Sequence, residues 1–462
     1  MSRKAEKQRL FGLLLVAAAL FTWLAAVLPI HVDEAITHQH FCSQGWKIAI
    51  SSYPFPNNHV LFSLLGSFVV GLPLDSIFGL RFISIISGLG SMALIYKLIR
   101  LRTSSFYALS GVVFWMVTLG GAYYSIHARG YGLQLFLLLT CLYLVEKWSF
   151  KVERSEVFKL NSKAGIALSV FSALGFFTIP TFLFPFTSLL ILILYFGWKN
   201  GSMLQQGLHV VLIGGVTSAI TALLYAPLFY YSGVLALIDN QWVRERGFAN
   251  VGVEGVFSFA GDVMAYGGYI IIPLAIGVII WAIIRKSHKN IPLLTIFYGV
   301  PLCEMIVMGS VPFPRTFAYL IAVSVVVIFS NIEGIRVKGA KTLIPGLVIV
   351  GAVAMAYLTY QSFSSAKRKD SARSEEIQKD LQACCDGKVL FMKGWNECAQ
   401  MIDYFSWRTG IGPTTKIIYQ EDFWVKFNEL EGSLFFQHEN ALVPDGCKPI
   451  LENGNIRVYK CN

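Results

Sequence analysis

Charged and imidazole side chains gather where the apolar runs of this chain stop. The first run ends in HVDEAITHQHF (residues 31–41), with the adjacent carboxylates Asp33 and Glu34 and the histidines His31, His38 and His40. Asn57, Asn58 and His59 precede a second, short apolar run. YYSIHARGYGL (123–133) carries His127, Arg129 and Tyr131, and VPFPRTF (311–317) carries Arg315 just after two prolines. Glu304 lies inside a later apolar run. These types suit the handling of a phosphate. Arginine presents a planar fork to phosphate oxygens, and a carboxylate within hydrogen-bond reach takes the proton of an attacking hydroxyl or amine. Stabilising the charge that builds on a departing phosphate is often the largest catalytic term.

Each group also has a plainer use. Asp33 and Glu34 suit the first turn of a helix, where acidic side chains meet the positive end of its dipole. Arg129 has a stem long enough to reach along a membrane interface, and Glu304 could pair with a neighbouring arginine. His31, Asp33, His38 and His40 have the close spacing of a divalent-metal site, which is the alternative to a site with no cofactor.

The elements that must position these residues are mostly membrane spans. The chain has 462 residues, 55% hydrophobic and 14% charged, with a mean hydropathy of +0.59, whereas a soluble domain carries about a quarter charged residues. The net charge of +11 does not mark a nucleic-acid binder, because the basic residues sit in short patches between apolar runs, as the positive-inside rule requires. Candidate spans are 10–30, 76–98, 105–126, 128–146, 164–179, 182–198, 207–231, 264–284, 291–309, 316–332 and 342–361, about eleven by length and hydropathy. The first, led by the basic MSRKAEKQR, reads as a retained span and not a cleaved leader. Residues 59–72 are short for a span and suit a helix lying at the membrane face.

A cytoplasmic N-terminus puts the clusters around Lys97–Arg102, Lys147–Lys163, Arg285–Lys289 and Arg336–Lys341 on the cytoplasmic side. Asp33, Asn58, His59, Arg129, Tyr131 and Arg315 then all fall on the opposite face, with Glu304 in the outer part of its span. A charge inside a span marks a polar, functional surface. The chain divides into a transmembrane domain (1–361, with outer loops 31–75 and 232–263), a polar linker (362–383), and a small C-terminal α/β extracytoplasmic domain (384–462). In that tail KVLFMK, KIIYQ, SLFFQ and IRVYKC suit strands and NECAQMIDYFSWRTG suits a helix. Cys384, Cys385, Cys398, Cys447 and Cys461, with Cys42 in the first outer loop, suit disulfides in an oxidising compartment, while Cys141 and Cys303 suit packed thiols.

The motifs, in order, resemble the GT-C superfamily of integral-membrane glycosyltransferases, especially the branch of protein O-mannosyltransferases and lipid A aminoarabinose transferases. HVDEAIT (31–37) resembles the Asp-Glu pair after the first span, and NNHVLFSLL (57–65) the element that opens a juxtamembrane helix. FGLRFISIISGLG (78–90) resembles the following arginine-bearing span, HARGYGLQLFLLL (127–139) a later turn, and PFPRTFAYL (312–320) the Pro-Arg element near the end of the membrane domain. Val60 stands where the family usually has proline, and Thr316 where it has tyrosine. The resemblance covers residues 10–330.

It implies a polytopic α-helical GT-C enzyme that moves one sugar, hexosyl or pentosyl, from a polyprenyl phosphate to a protein, glycan or lipid acceptor by inverting displacement. In that reading Asp33 is the base with Glu34 beside it, Arg129 and Arg315 hold the donor phosphate, and His59, Asn58, Tyr131 and Glu304 shape the substrate pocket. No cofactor is implied. The expected location is a bacterial inner membrane, with the tail outside. A transporter or flippase of lipid-linked saccharides is the rival; it would spread polar residues across the membrane midplane on broken helices. A catalytically inactive scaffold is a third reading.

Overall fold

The computed structural model describes residues 2–151, 157–238, 269–284, 291–308, 312–331 and 350–364, apart from positions 55, 71, 73–75, 355 and 362, together with the strands of the C-terminal segment. These residues form two compact units, Met1–Val27 with Phe41–Ser362, and Leu28–His40 with Phe363–Asn462.

The first unit is helical: α1 (Arg3–Val27), α3 (Trp46–Ser51), α4 (Val60–Val69), α5 (Ser76–Arg100), α6 (Ser105–Met116), α7 (Leu119–Tyr124), α8 (Gly130–Lys151), α9 (Lys163–Thr178), α10 (Leu183–Lys199), α11 (Met203–Ser232), α12 (Leu235–Ile238), α13 (Tyr269–Ile284), α14 (Ile291–Met308) and α15 (Tyr319–Asn331). A short helix α2 (Val32–Thr37) belongs to the second unit. Among the described residues, six helical segments are long and apolar enough to cross a membrane: Lys4–Val27, Ile77–Arg100, Gly130–Phe150, Pro180–Lys199, Met203–Ser232 and Ile291–Met308. The protein is a polytopic helical membrane protein. In lipid, a helix satisfies every backbone N–H and C=O within one segment, which is why the apolar runs take this form.

Helix α5 lies at the centre, packed against α1, α4, α6 and α8, and α8 continues the layer through α9 to α11. One end of the bundle is tied by charge. Glu6 of α1 accepts from Arg100 Nε at 2.8 Å and from the Tyr96 hydroxyl of α5, and Arg102 pairs with the buried Glu146 of α8. Near the other end of α1, Arg81 donates from Nη1 to the Ala25 carbonyl at 2.7 Å.

The expected single span over 105–126 is instead two helices, α6 and α7. Thr118 breaks the run by capping: its hydroxyl accepts from the Gly121 amide at 2.9 Å and donates to the Trp115 carbonyl at 2.8 Å, so a side chain replaces the helical ladder. The short run after His59 forms α4, of ten residues. The α4 face reaches Cys42 and α5, and a Cβ on Gly66 would lie 2.6 Å from Cys42 Sγ.

In the second unit, the strands β1 (Val389–Lys393), β2 (Thr414–Ile418), β3 (Leu434–His438), β4 (Cys447–Asn453) and β5 (Ile456–Cys461) form one mixed sheet in the order β2-β1-β3-β5-β4. Strand β1 runs parallel to β2 and β3, whereas β5 is antiparallel to β3 and β4. β4, which the sequence reading lacks, carries Pro449 at the sheet's edge, the position where a missing N–H is tolerated. Cys447 and Cys461 are register partners. Cys42, expected in a disulfide, is a buried free thiol, as is Cys141, and Cys303 is an exposed free thiol. Cys384, Cys385 and Cys398, the tail helix, and most of the outer loop 232–263 and of the polar linker lie outside the described residues.

Candidate active site

Between α7 and α8 the chain reverses within Ser125–Arg129, and packing fixes that reversal. The Tyr123 and His127 rings stack at 3.8 Å, and Ser84 of α5 donates to the His127 carbonyl at 2.6 Å. Arg129 follows, 4% exposed, and its Nη2 donates to Asn57 Oδ1 at 3.3 Å. Gly130 opens α8, so its N–H is one of the donors a helix start leaves without an intrahelical partner. His59 Nδ1 accepts it at 2.8 Å. His59 is itself the N-cap of α4 but makes no side-chain cap there.

Tyr131, one residue into α8, is the hub. The guanidinium carbons of Arg129 and Arg315 each lie 5.8 Å from its ring centroid, within the distance at which a cation is attracted by a ring face. His59 meets the same ring edge-on at 4.8 Å, and Tyr124 packs on it at 5.3 Å. Arg315 sits in a short 3-10 turn, Pro314–Phe317, whose proline preorganises the first position, and its guanidinium also lies 4.6 Å from the Phe313 ring. Beside this group opens a narrow cleft lined by Tyr124, Tyr131, Gln134, Pro185, Arg315 and Tyr319 among others. It has cationic and phenolic groups at one place and leucines and a proline nearby, so it offers both polar and apolar contacts.

The structure therefore brings together Arg129, Arg315, Tyr131 and His59, four of the residues expected from sequence. Asn58 is adjacent; its Nδ2 donates to the Ala49 and Ser52 carbonyls at 3.0 and 2.8 Å. Glu304 lies on α14, with Oε2 buried and without a hydrogen-bond partner among the described residues.

Asp33 and Glu34 lie on α2, in the second unit. Glu34 Oε2 accepts from the His31 amide at 2.9 Å while His31 Nδ1 accepts from the Asp33 amide at 3.2 Å, a reciprocal capping box. The carboxylate pair is thus divided: Glu34 closes the start of its helix, and Asp33 Oδ2 stands 4.0 Å from His31 Nδ1. His38 and His40 lie in the following π-turn, His38–Cys42. Among the described residues no three His, Cys, Asp or Glu side chains converge as a metal site.

Sequence reasoning did not single out Gly130, Tyr124, Gln134 or Tyr319. For Gly130 a signal exists, since an arginine followed by Gly-Tyr-Gly at a turn marks close backbone approach. The others are aromatic or amide positions within apolar runs, with nothing local to mark them.

No family model and no curated protein matches the sequence. The structure of ArnT from Cupriavidus metallidurans bound to undecaprenyl phosphate superposes on this chain with a TM-score of 0.67 over 97% of both chains, at 13% identity. Its apo structure gives 0.62 over 97% of both, at 12% identity. ArnT is the lipid A aminoarabinose transferase of the GT-C superfamily. The chain has the GT-C fold. Within that framework, the 3-10 turn carries Arg315 to the cleft, and the turn at Arg129 brings a second guanidinium to the same Tyr131 ring.

Proposed function

We propose that this protein is a glycosyltransferase that moves a sugar from a polyprenyl phosphate to an acceptor at the outer face of a bacterial inner membrane. The observation that carries the reading is the pair of guanidiniums on one tyrosine ring beside a partly apolar cleft, in a GT-C fold similar to a protein solved with undecaprenyl phosphate. Two arginines on one platform suit a phosphate that must be held while it gains charge. The neighbouring apolar wall suits the first isoprene units.

Asp33 is the proposed base. It removes the proton from the acceptor hydroxyl or amine, the acceptor atom bonds to the anomeric carbon, and the bond from that carbon to the phosphate oxygen breaks. The electron pair leaves on the phosphate, where Arg129 and Arg315 meet it. The displacement inverts the anomeric centre. Glu34 supports the loop through its capping box, and no metal is invoked. The N-terminus is assigned to the cytoplasm on the distribution of Lys and Arg.

Purified protein in lipid nanodiscs, given labelled polyprenyl-phosphate sugars and candidate acceptors, should transfer label. Asp33→Asn should lower turnover by about a hundredfold or more, the scale of a positioned base. Transfer that persists in this variant removes Asp33 as the base. Movement of the donor across the bilayer without any transfer supports the flippase.

A further inference from the structure

We infer that His59 and Gly130 are positioning residues that set Arg129 in its donor-binding orientation, with Asn57 completing the latch. The inference rests on the proposed phosphate role of Arg129 and adds residues to which that reading gives no such task. Two neighbouring positions of one segment grip two consecutive positions of another. Asn57 Oδ1 accepts from Arg129 Nη2, and His59 Nδ1 accepts from the Gly130 amide, contacts that span 72 and 71 residues of sequence. A single hydrogen bond leaves a rotation open; two, one to the backbone and one to the guanidinium, fix both the base and the tip of the Arg129 side chain.

The gripping segment is itself held. The His59 amide donates to the Asn57 carbonyl at 3.0 Å, which fixes the two acceptors relative to each other. Asn58 between them donates to the end of α3 through Ala49 and Ser52. The Ser232 hydroxyl at the end of α11 donates to Ser51 and accepts from the Tyr53 amide, at 2.7 and 3.1 Å. Gly130 is required by distance alone, since a Cβ there would lie 2.7 Å from His59 Cβ and 2.9 Å from Thr178 Cγ2. Accepting a backbone N–H also requires Nδ1 to be unprotonated, so His59 acts on the site through Gly130 and Arg129 by an acceptor, not as an acid at that nitrogen.

The test is binding of undecaprenyl phosphate to the full-length detergent-purified protein, with no acceptor present. His59→Phe keeps a ring against Tyr131 and removes the acceptor; it should weaken binding about tenfold, the worth of one hydrogen bond to a buried donor. Gly130→Ala should do the same. His59→Asn, whose amide oxygen stands near the place of Nδ1, should recover binding to within about threefold of wild type. In the Arg129→Gln background His59→Phe should weaken binding less than twofold further, because both act on one group.

Additive losses in the double variant, or equal losses for His59→Phe and His59→Asn, overturn the latch. A fall in melting temperature with unchanged affinity also overturns it. Wild-type protein that binds the phosphate yet transfers no sugar sinks the enzymatic reading and leaves the latch to be judged by the variants. Wild-type protein that does not bind undecaprenyl phosphate sinks the latch.

Discussion

Tyr131 contributes a face, not a hydroxyl, to the arrangement at its turn. Two cations that would repel each other both approach its ring, and each cation–ring contact is worth about 0.5–1 kcal/mol, rising to about 2 when water is excluded. Tyr131→Leu should therefore raise the donor KM about five- to tenfold with a smaller change in kcat, while Tyr131→Phe, which keeps the ring, should stay within about twofold. A Leu variant with wild-type donor KM would remove Tyr131 as the platform. Replacement of either arginine by lysine is not conservative here, because a point charge lacks the planar fork that suits both a ring face and a phosphate. Glu34 shows the opposite case. From sequence, the family resemblance makes Asp33 the base and sets Glu34 beside it as an orienting or donor-binding residue. The capping box, visible only once α2 has a defined start at Val32, gives Glu34 a local task and leaves Asp33 as the proposed base.

At the scale of elements, close packing at small residues decides which ends of helices meet. Helix α4 lies so close to Cys42 that Gly66 has no room for a Cβ beside it. Cys42 Sγ donates to the Ser63 carbonyl at 3.7 Å, and burial pushes its thiol pKa well above the usual value. The sign follows: the neutral thiol is the favoured form in the folded protein, and the reactive thiolate is scarce until the pH rises above the ordinary thiol range. Cys42 should label slowly with maleimide at about pH 8 in the native protein and rapidly after denaturation. Gly66→Ala, by forcing α4 away from Cys42, should increase native labelling. Fast labelling of native wild-type protein would contradict the packing of α4. The split of 105–126 into α6 and α7 belongs to this scale too. Hydropathy reads the run as continuous because threonine and two glycines hardly change an average, whereas the Thr118 side chain competes directly with the helical hydrogen bonds.

For the whole molecule, the Lys and Arg distribution sets the proposed orientation. A reporter fused to the C-terminus should be accessible to a probe added to spheroplasts, and one fused to the N-terminus should be protected. Exposure of the N-terminal reporter alone would reverse every assignment of face made here. The sheet gives a measure of legibility at this scale: KVLFMK, KIIYQ, SLFFQ and IRVYKC each overlap an observed strand. Strand β4 was not legible because CKPILEN opens on a cysteine, a lysine and a proline, and its place depends on pairing with β5.

The sequence by itself determined that lipid solvates most of this protein, where polar groups interrupt the apolar runs, and that those groups have the types a phosphate requires. Those properties are local: they depend on transfer of each segment from water to hydrocarbon, which adds along the chain. The tertiary structure decided which interruptions share a place. Arg129 and Arg315 come from turns far apart in sequence, yet both reach Tyr131, and His59 reaches Gly130 across 71 residues. Such meetings depend on the absence of a Cβ at one glycine and on the free amide of one helix start, quantities that appear only when two segments touch.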